Sequence, residues 1–483
     1  MKYYQSEKLN ELTEQILEMM PALKEFFSSD HNIESYSHFL NNYQSEGIYL
    51  ERQKKFIEIL RSKIERLFNV KEREKINILN DVDKGLKGAV VDHHGVINDP
   101  ILFGINFVTD YTRMFDRKKN GDILTFATGN VPVNDYFHRR GFLLNDHRIN
   151  IFSKDEKNKF VFALPPKNIQ IIESLKKSHT LHLFSQSTQK FLQNVQDIIS
   201  GIDLSGCKTL GDQLTKINFY LWPLLFENKI KDSVSNLISI EYDDVVIDYL
   251  VYTIKTDRES FISNFLFNEA IRDEALIFFE GKVGAWDKIK HKGTHFFWYY
   301  SDDSQQLRLN LIGNYLISED GKVKIPWQED EIIKQLEQRK LLPCMLLKFS
   351  LLIFYMGLRP LTGYGSANYI SIMQRDVIEF LNNKSDESSR ISRIKVNNLT
   401  TVPVVVKKEN NAIKNYYAFD VMCDEGLNED YLKNINQVPL KYFLASRLND
   451  LYNYAYPLYG KGEKTNIVVQ PEDYYDLLSE VFV

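Results

Sequence analysis

The chain has 483 residues, 43 % of them hydrophobic and 26 % charged, and a formal net charge of −5 at pH 7. That length points to two or three domains around a large core, and the acidic balance gives no sign of the basic face that nucleic-acid binding needs. The cysteines, Cys207, Cys344 and Cys423, form no CxxC pair. Neither a zinc–cysteine site nor a disulfide framework is indicated, and the polar start of the chain carries no signal peptide, so a reducing cytoplasm is expected.

Residues 1–85 read as a helical subdomain. Leu9, Leu12, Ile16 and Leu23 mark one helix. Phe56, Leu60, Ile64 and Leu67 recur at the spacing of one face of another. From residue 86 the pattern changes. Gly88-Ala89-Val90-Val91-Asp92 predicts a strand, and a helix over 101–116 follows Pro100. Further strands are expected at 122–127, 148–152, 160–164 and 179–184. A strand, a helix and a strand within about 40 residues form a βαβ unit, which implies a parallel sheet. A helix at 188–200 comes next. Ile238-Ser239-Ile240-Glu241-Tyr242 then reads as a strand, with Asp243-Asp244 able to cap the following helix.

Thr294 to Tyr300 and Leu307 to Ile312 flank a polar turn, and Asp320-Gly321 marks another hairpin. A helix is expected at 328–339. The run from Leu341 to Leu358 is almost wholly apolar but holds Pro343 and Lys348. A central lysine costs about 2.5–3.5 kcal/mol on insertion, so a buried helix at 344–356 is expected rather than a membrane span. The polar run Asn382 to Arg390 reads as a linker. Beyond it lie a strand at 402–406 and an aromatic helix near 440–455. The expected architecture is α/β: an N-terminal helical subdomain (1–85), a Rossmann-like doubly wound parallel sheet with an inserted β-hairpin region (86–381), and a C-terminal α+β extension (391–483).

Ligands of open α/β sheets bind at the carboxyl ends of strands, where helix N-termini offer free N–H groups. Asp92-His93-His94-Gly95 lies at such an end. His93 and His94 can donate to anionic oxygens or transfer protons, with Asp92 beside them. Gly95 would let a ligand approach the backbone. Asn98 and Asp99 read as a helix cap or as site residues, and Asn106 follows on the helix. The next strand end carries Thr128-Gly129-Asn130 and then Asn134, which suit a ribose, a phosphate or an amino acid. Arg139 and Arg140 offer two bidentate cations. Both stretches also read as plain surface turns. Gly363, Gly365, Asn368 and Tyr369 form a third candidate wall, equally readable as a helix stop and start. His291 and His295 lack the helix and the Glu of a metal pair, so no metal ligands are expected there.

Two resemblances follow from these residues. Val90-Val91-Asp92-His93-His94 resembles the signature of the DHH phosphoesterases, which bind manganese; the upstream acids of that family are represented only by Asp81-Val82-Asp83. The order of features over roughly residues 85–375 resembles the cysteine-adding enzyme family of bacillithiol biosynthesis, with its nucleotidyltransferase-type Rossmann core. It is carried by His93-His94-Gly95 with Pro100, Leu307-Arg308-Leu309, Leu341-Leu342-Pro343, and Gly363-Tyr364-Gly365 through Tyr369. His93-His94 replaces that family's amide pair, and Thr128-Gly129-Asn130 its acid-rich loop. The resemblance implies a shared fold and cleft with a different substrate.

The leading expectation is a cytoplasmic biosynthetic ligase or transferase with a nucleotide-binding core. It would join an amine, such as an amino acid, to an activated carboxylate, or adenylate a small acid. ATP or another nucleotide is the candidate cofactor, and a small molecule the partner, with no nucleic acid or membrane. Arg139, Arg140 and Arg308 would balance the substrate's charge. A manganese phosphoesterase and a non-enzymatic binding protein are the alternatives.

Overall fold

The computed structural model describes residues 6–42, 46–74, 76, 85–90, 92–115, 122–382, 386–409 and 412–479. Val91 and the Asp81-Val82-Asp83 stretch lie outside the described residues.

The chain is a mixed α/β protein built on small parallel sheets. Lys87–Ala89 pairs in parallel with Arg359–Thr362, which pairs with Asn398–Leu399. Asp92–His93 pairs with Ile123–Thr128, which pairs with Leu237–Glu241. Two further bonds extend these ladders: Val90 N–H donates to the Leu361 carbonyl (3.1 Å) and His94 N–H to the Thr128 carbonyl (3.0 Å). The two three-stranded parallel sheets run in the orders 87–89, 359–362, 398–399 and 92–93, 123–128, 237–241. Parallel strands covered on both faces need near-continuous apolar runs, and all five residues of Leu237–Glu241 are buried.

The apolar residues divide into two cores. Ala89, Ile123 and Leu237 join one, with Ile105 and Phe107 of helix Pro100–Met114 and Leu214 and Ile217 of helix Leu210–Leu221. Val90, Phe126, Ile238 and Ile240 join the other. There they meet Phe56 and Leu60 of helix Gly47–Leu67, Val246 and Leu250 of helix Asp243–Thr256, and Ile370 and Met373 of helix Tyr364–Leu381. The N-terminal helices are present and split likewise: Glu7–Met19 and Ile33–Asn41 pack in the first core, Gly47–Leu67 in the second. An antiparallel sheet of five strands adds a half-barrel, in the order 324–326, 315–318, 306–312, 297–300, 341–343.

Several expected elements differ. At 160–164 there is a 3₁₀ turn, Val161–Ala163, because Pro165 and Pro166 lack the N–H a ladder needs. At 179–184 His179 takes a left-handed φ of 53° and the chain forms the 3₁₀ turn Leu181–Leu183 with Leu183 exposed. The strand expected at 402–406 begins only at Val406, beyond Pro403, and pairs as the hairpin Val406–Glu409 with Ala412–Asn415. The buried run 344–356 is an α-helix, Met345–Phe349, continued by a π-helix, Ser350–Tyr355. The aromatic C-terminal helix is two, Leu440–Phe443 and Leu448–Tyr459. Among the described residues no helix is long and apolar enough to cross a membrane.

Candidate functional site

The carboxyl ends of the parallel strands bring the first two sequence candidates side by side, since His93 and Thr128 are register partners on adjacent strands. His93 keeps about a third of its side chain exposed, and its Nδ1 lies 2.7 Å from Asp135 Oδ2. Asp135, buried, also accepts the His138 N–H at 2.8 Å. Burial pushes the Asp135 carboxyl up, but the His93 hydrogen bond and the His138 and His93 charges outweigh it and hold it below the ordinary range. A carboxylate only accepts, so His93 donates from Nδ1 and its Nε2 takes no part in that bond. His138 Nε2–H donates in turn to the His93 carbonyl at 2.8 Å.

Gly95 owes its lack of a side chain to this arrangement. A Cβ there would lie 2.2 Å from the His138 ring. The space foreseen for a ligand holds the chain's own imidazole. Gly95→Ala is therefore expected to displace His138 and cost about 1–3 kcal/mol, the range for overpacking a filled core; urea denaturation reads the loss. Beside it, Asp92, His93, Gly95, Asn98, Asn106 and His138 line a cavity of about 20 Å³. One water needs roughly 10–15 Å³, so the cavity admits a water. Burial, then the Asp135 charge, push the Asp92 carboxyl well above the ordinary carboxylate range. Asn98 is fixed structurally: its Oδ1 accepts the Leu143 N–H at 2.9 Å. Asp99 caps helix Pro100–Met114, with Oδ1 accepting from Ile101 at 2.9 Å.

The Thr128-Gly129-Asn130 loop is tied to the next strand end. Asp243 Oδ2 accepts from Thr128 Oγ1 (2.7 Å) and the Asn130 N–H (3.0 Å), while its Oδ1 pairs with Lys348. Asn130 Oδ1 accepts from the Tyr300 hydroxyl and from Gln306 Nε2 (2.7 Å). Glu241 Oε1 accepts from the N–H groups of Gly129 (3.3 Å) and Asp243 (2.8 Å). The acid pair at 243–244 is thus not a cap. The helix N-cap is Tyr242, with no side-chain bond, and both carboxylates serve ion pairs.

Lys63, fully buried, donates to the Glu241 carbonyl at 2.7 Å and lies 3.4 Å from the carboxylates of Glu241 and Asp212. Burial works against its ammonium, but the charges of Glu241, Asp244 and Asp212 overcome it and raise its pKa. Two carboxyls share this site, and their pKa values move apart. Burial and the Asp243 and Asp244 charges push Glu241 up to about 8 against the pull of Lys63. Asp243, although buried, is held below its ordinary value by Lys348. His94 lies between the two clusters. Both ring nitrogens are buried with no hydrogen-bond partner among the described residues, and a Cβ at Gly211 would lie 3.5 Å from its Nδ1.

The other candidates lie apart from these contacts. Asn134 is exposed. Arg139 and Arg140 occupy left-handed positions of a tight turn, φ 43° and 67°; Arg139 lies over Tyr136 and Arg140 reaches the Phe152 carbonyl at 3.4 Å. Arg308 is engaged by Glu319 at 2.9 Å and by the Asp287 carbonyl at 3.2 Å. Gly363 caps helix Tyr364–Leu381, donating to Ser366 Oγ at 2.6 Å. The Cβ position of Gly365 is filled by the Tyr454 hydroxyl, 2.5 Å away. Asn368 is buried in that helix, and Tyr369 stacks on Phe349.

Asp135, His138, Lys63, Glu241, Asp243 and Lys348 complete the site without having been singled out as site residues. Asp135 and His138 carry a readable signal, three positions apart just after a strand-end loop. So does Lys348, a single charge in an apolar run, since a buried charge needs a partner. No family model matches the chain, and no curated protein matches it.

Proposed function

We propose that the chain is a ligase- or transferase-like biosynthetic enzyme acting at the carboxyl end of its central parallel strand. The strands at 87–89 and 92–93 follow closely in the chain and pair in parallel with different partners, 359–362 and 123–128, which supports a Rossmann-like doubly wound arrangement. Ligands of such sheets bind where the order reverses, between the strands at 92–93 and 359–362. The observation that carries the reading is the His93–Asp135 pair. A partly exposed imidazole held at Nδ1 by a buried carboxylate is oriented as a general base. In amide formation an amine nitrogen bonds to the activated carboxyl carbon and the carbon–oxygen bond to the leaving group breaks. His93 Nε2 takes the amine proton, and Asp135 stabilises the imidazolium until that proton passes to solvent.

A nucleotide, when bound, would supply the phosphoryl or adenylyl group that activates the acid's carboxylate. The water-sized strand-end cavity does not fit one. The manganese of the phosphoesterase reading also lacks a fit. His93 turns to Asp135 and His94 packs toward Gly211. Among the described residues no three His, Cys, Asp or Glu side chains converge to hold a metal.

The test is nucleotide-dependent amide formation from a mixture of amines and small acids, followed by mass spectrometry. His93→Ala and Asp135→Asn are each expected to lower the rate by about 10²–10⁴-fold, the usual contribution of general-base catalysis. Undiminished product from a folded His93→Ala protein would sink the reading.

A further inference from the structure

A larger cleft, about 590 Å³, opens between helix Gly47–Leu67, helix Asp243–Thr256, Arg339 and the Lys208-Thr209 step before helix Leu210–Leu221. It shares no lining residue with the strand-end cavity. Its volume falls in the range of about 300–1,000 Å³ common for small-molecule sites.

The lining is unusual for this chain. Lys55, Lys63, Arg66, Lys208 and Arg339 face the cleft against three carboxylates, although the whole chain carries a net charge of −5. Two of the eight groups are already satisfied at the rim: Lys55 pairs with Glu58 at 2.9 Å, and Glu337 with Lys255 at 2.8 Å. Deeper in, one carboxylate serves three cations. Asp244 lies 3.6 Å from Lys63, 3.8 Å from Arg66 and 2.5 Å from Arg339. Asp248 adds a bond to Arg339 at 2.6 Å, and Asp212, behind the wall, accepts from Arg66 at 2.8 Å. Lys208 has no ion pair among the described residues. The Thr209 hydroxyl accepts the Asp212 N–H at 3.1 Å and keeps its own proton to donate. Donors therefore outnumber acceptors at the Lys208 end. Ile59, Val251 and Tyr252 supply an apolar wall.

We infer that this cleft binds a phosphate-bearing ligand, its phosphate held by Lys208 and Thr209 beside the Arg66 charge and its remainder lying against Ile59, Val251 and Tyr252. Arg66 is already engaged by Asp212 and the Gly206 carbonyl (2.7 Å), so the oxyanion adds the acceptor for Lys208, and partial burial strengthens charge-assisted bonds to it. Lys63 forms both the floor of the cleft and a hydrogen bond to the Glu241 carbonyl, so an occupant is one residue removed from Glu241, which holds the Gly129 N–H.

Calorimetric titration of the full chain with inorganic phosphate, AMP and adenosine tests this. Both phosphate-bearing probes are expected to bind and adenosine not to. AMP binding tighter than phosphate identifies an organic phosphate as the occupant, and equal binding a free oxyanion. Lys208 is exposed, so Lys208→Glu does not threaten folding; it is expected to weaken AMP at least about tenfold, or 1.4 kcal/mol. His93→Ala is expected to leave AMP affinity unchanged. Two outcomes overturn the inference. One is no binding of either phosphate-bearing probe at millimolar concentration. The other is AMP binding that survives Lys208→Glu but is lost in His93→Ala, which moves the ligand to the strand end and leaves the His93 reading standing.

Discussion

Acidification below about pH 6.5 is expected to remove the stability that two buried, uncharged histidines lend the fold. His94 is 1 % exposed, and burial, then the Lys63 and His138 charges, push its pKa down to about 3. His295 is 2 % exposed, and burial, then the Lys288 and Arg308 charges, push it down to about 4. In the unfolded chain both rings take up a proton near pH 6.5. Between that pH and the folded values each ring binds more protons in the unfolded state than in the folded one. Their contribution is therefore full above about pH 6.5 and falls as pH drops toward 4 and then 3. Two such protons correspond to about 2.7 kcal/mol per pH unit. Glu241 opposes them: its folded carboxyl, pushed up to about 8 by burial, holds a proton that the unfolded carboxyl takes up only near 4.5, and offsets about one of the two. Asp92, held well above its ordinary range by burial, opposes them in the same direction. Asp244, held at about 2 by Lys63 and Arg339 against the effect of burial, loses its contribution only as pH falls from about 4 toward 2. Urea denaturation across pH 4–8 measures the slope. His295→Gln is expected to lower it by about 1.4 kcal/mol per pH unit. A slope unchanged in that variant would show that the buried rings do not govern acid sensitivity.

The same two rings mark what the sequence could and could not tell. His94 read as part of a ligand cradle because it follows an apolar strand and precedes a Pro-started helix, and that local frame is real. Asp99 caps helix Pro100–Met114, and Asp92–His93 pairs in parallel with Ile123–Thr128. Local signals of this kind are carried within a few residues. The filling of the site is not local. Gly95 faces His138, and Gly365 faces Tyr454; a glycine announces that something approaches, not what. Lys63 fits the polar side of an amphipathic helix until the Glu241 carbonyl, 178 residues away, accepts its hydrogen bond. The 160–164 and 179–184 segments had the composition of strands. A strand also needs a neighbour that can complete its ladder, and two prolines just after the first and a left-handed residue in the second prevented that.

Lys348→Met is expected to be among the most damaging single substitutions, costing about 3–5 kcal/mol, because it leaves the fully buried Asp243 without its counter-charge. Two hydrogen bonds would remain on that carboxylate, from Thr128 and the Asn130 N–H. They do not replace a cation in a site with Glu241 beside it. Adding Asp243→Asn to Lys348→Met removes the stranded charge while keeping an acceptor for Thr128, and is expected to recover more than half of the loss. Chemical denaturation of both singles and the double gives the coupling energy, which should be at least about 2 kcal/mol. The consequence reaches the proposed site through one strand pair. Asp243 fixes Thr128, and Thr128 is the register partner of His93. A neutral Lys348→Met would mean that Asp243 carries no charge in the fold. The order of the Thr128–Asn130 loop would then rest on Tyr300 and Gln306, which hold Asn130 from the half-barrel side.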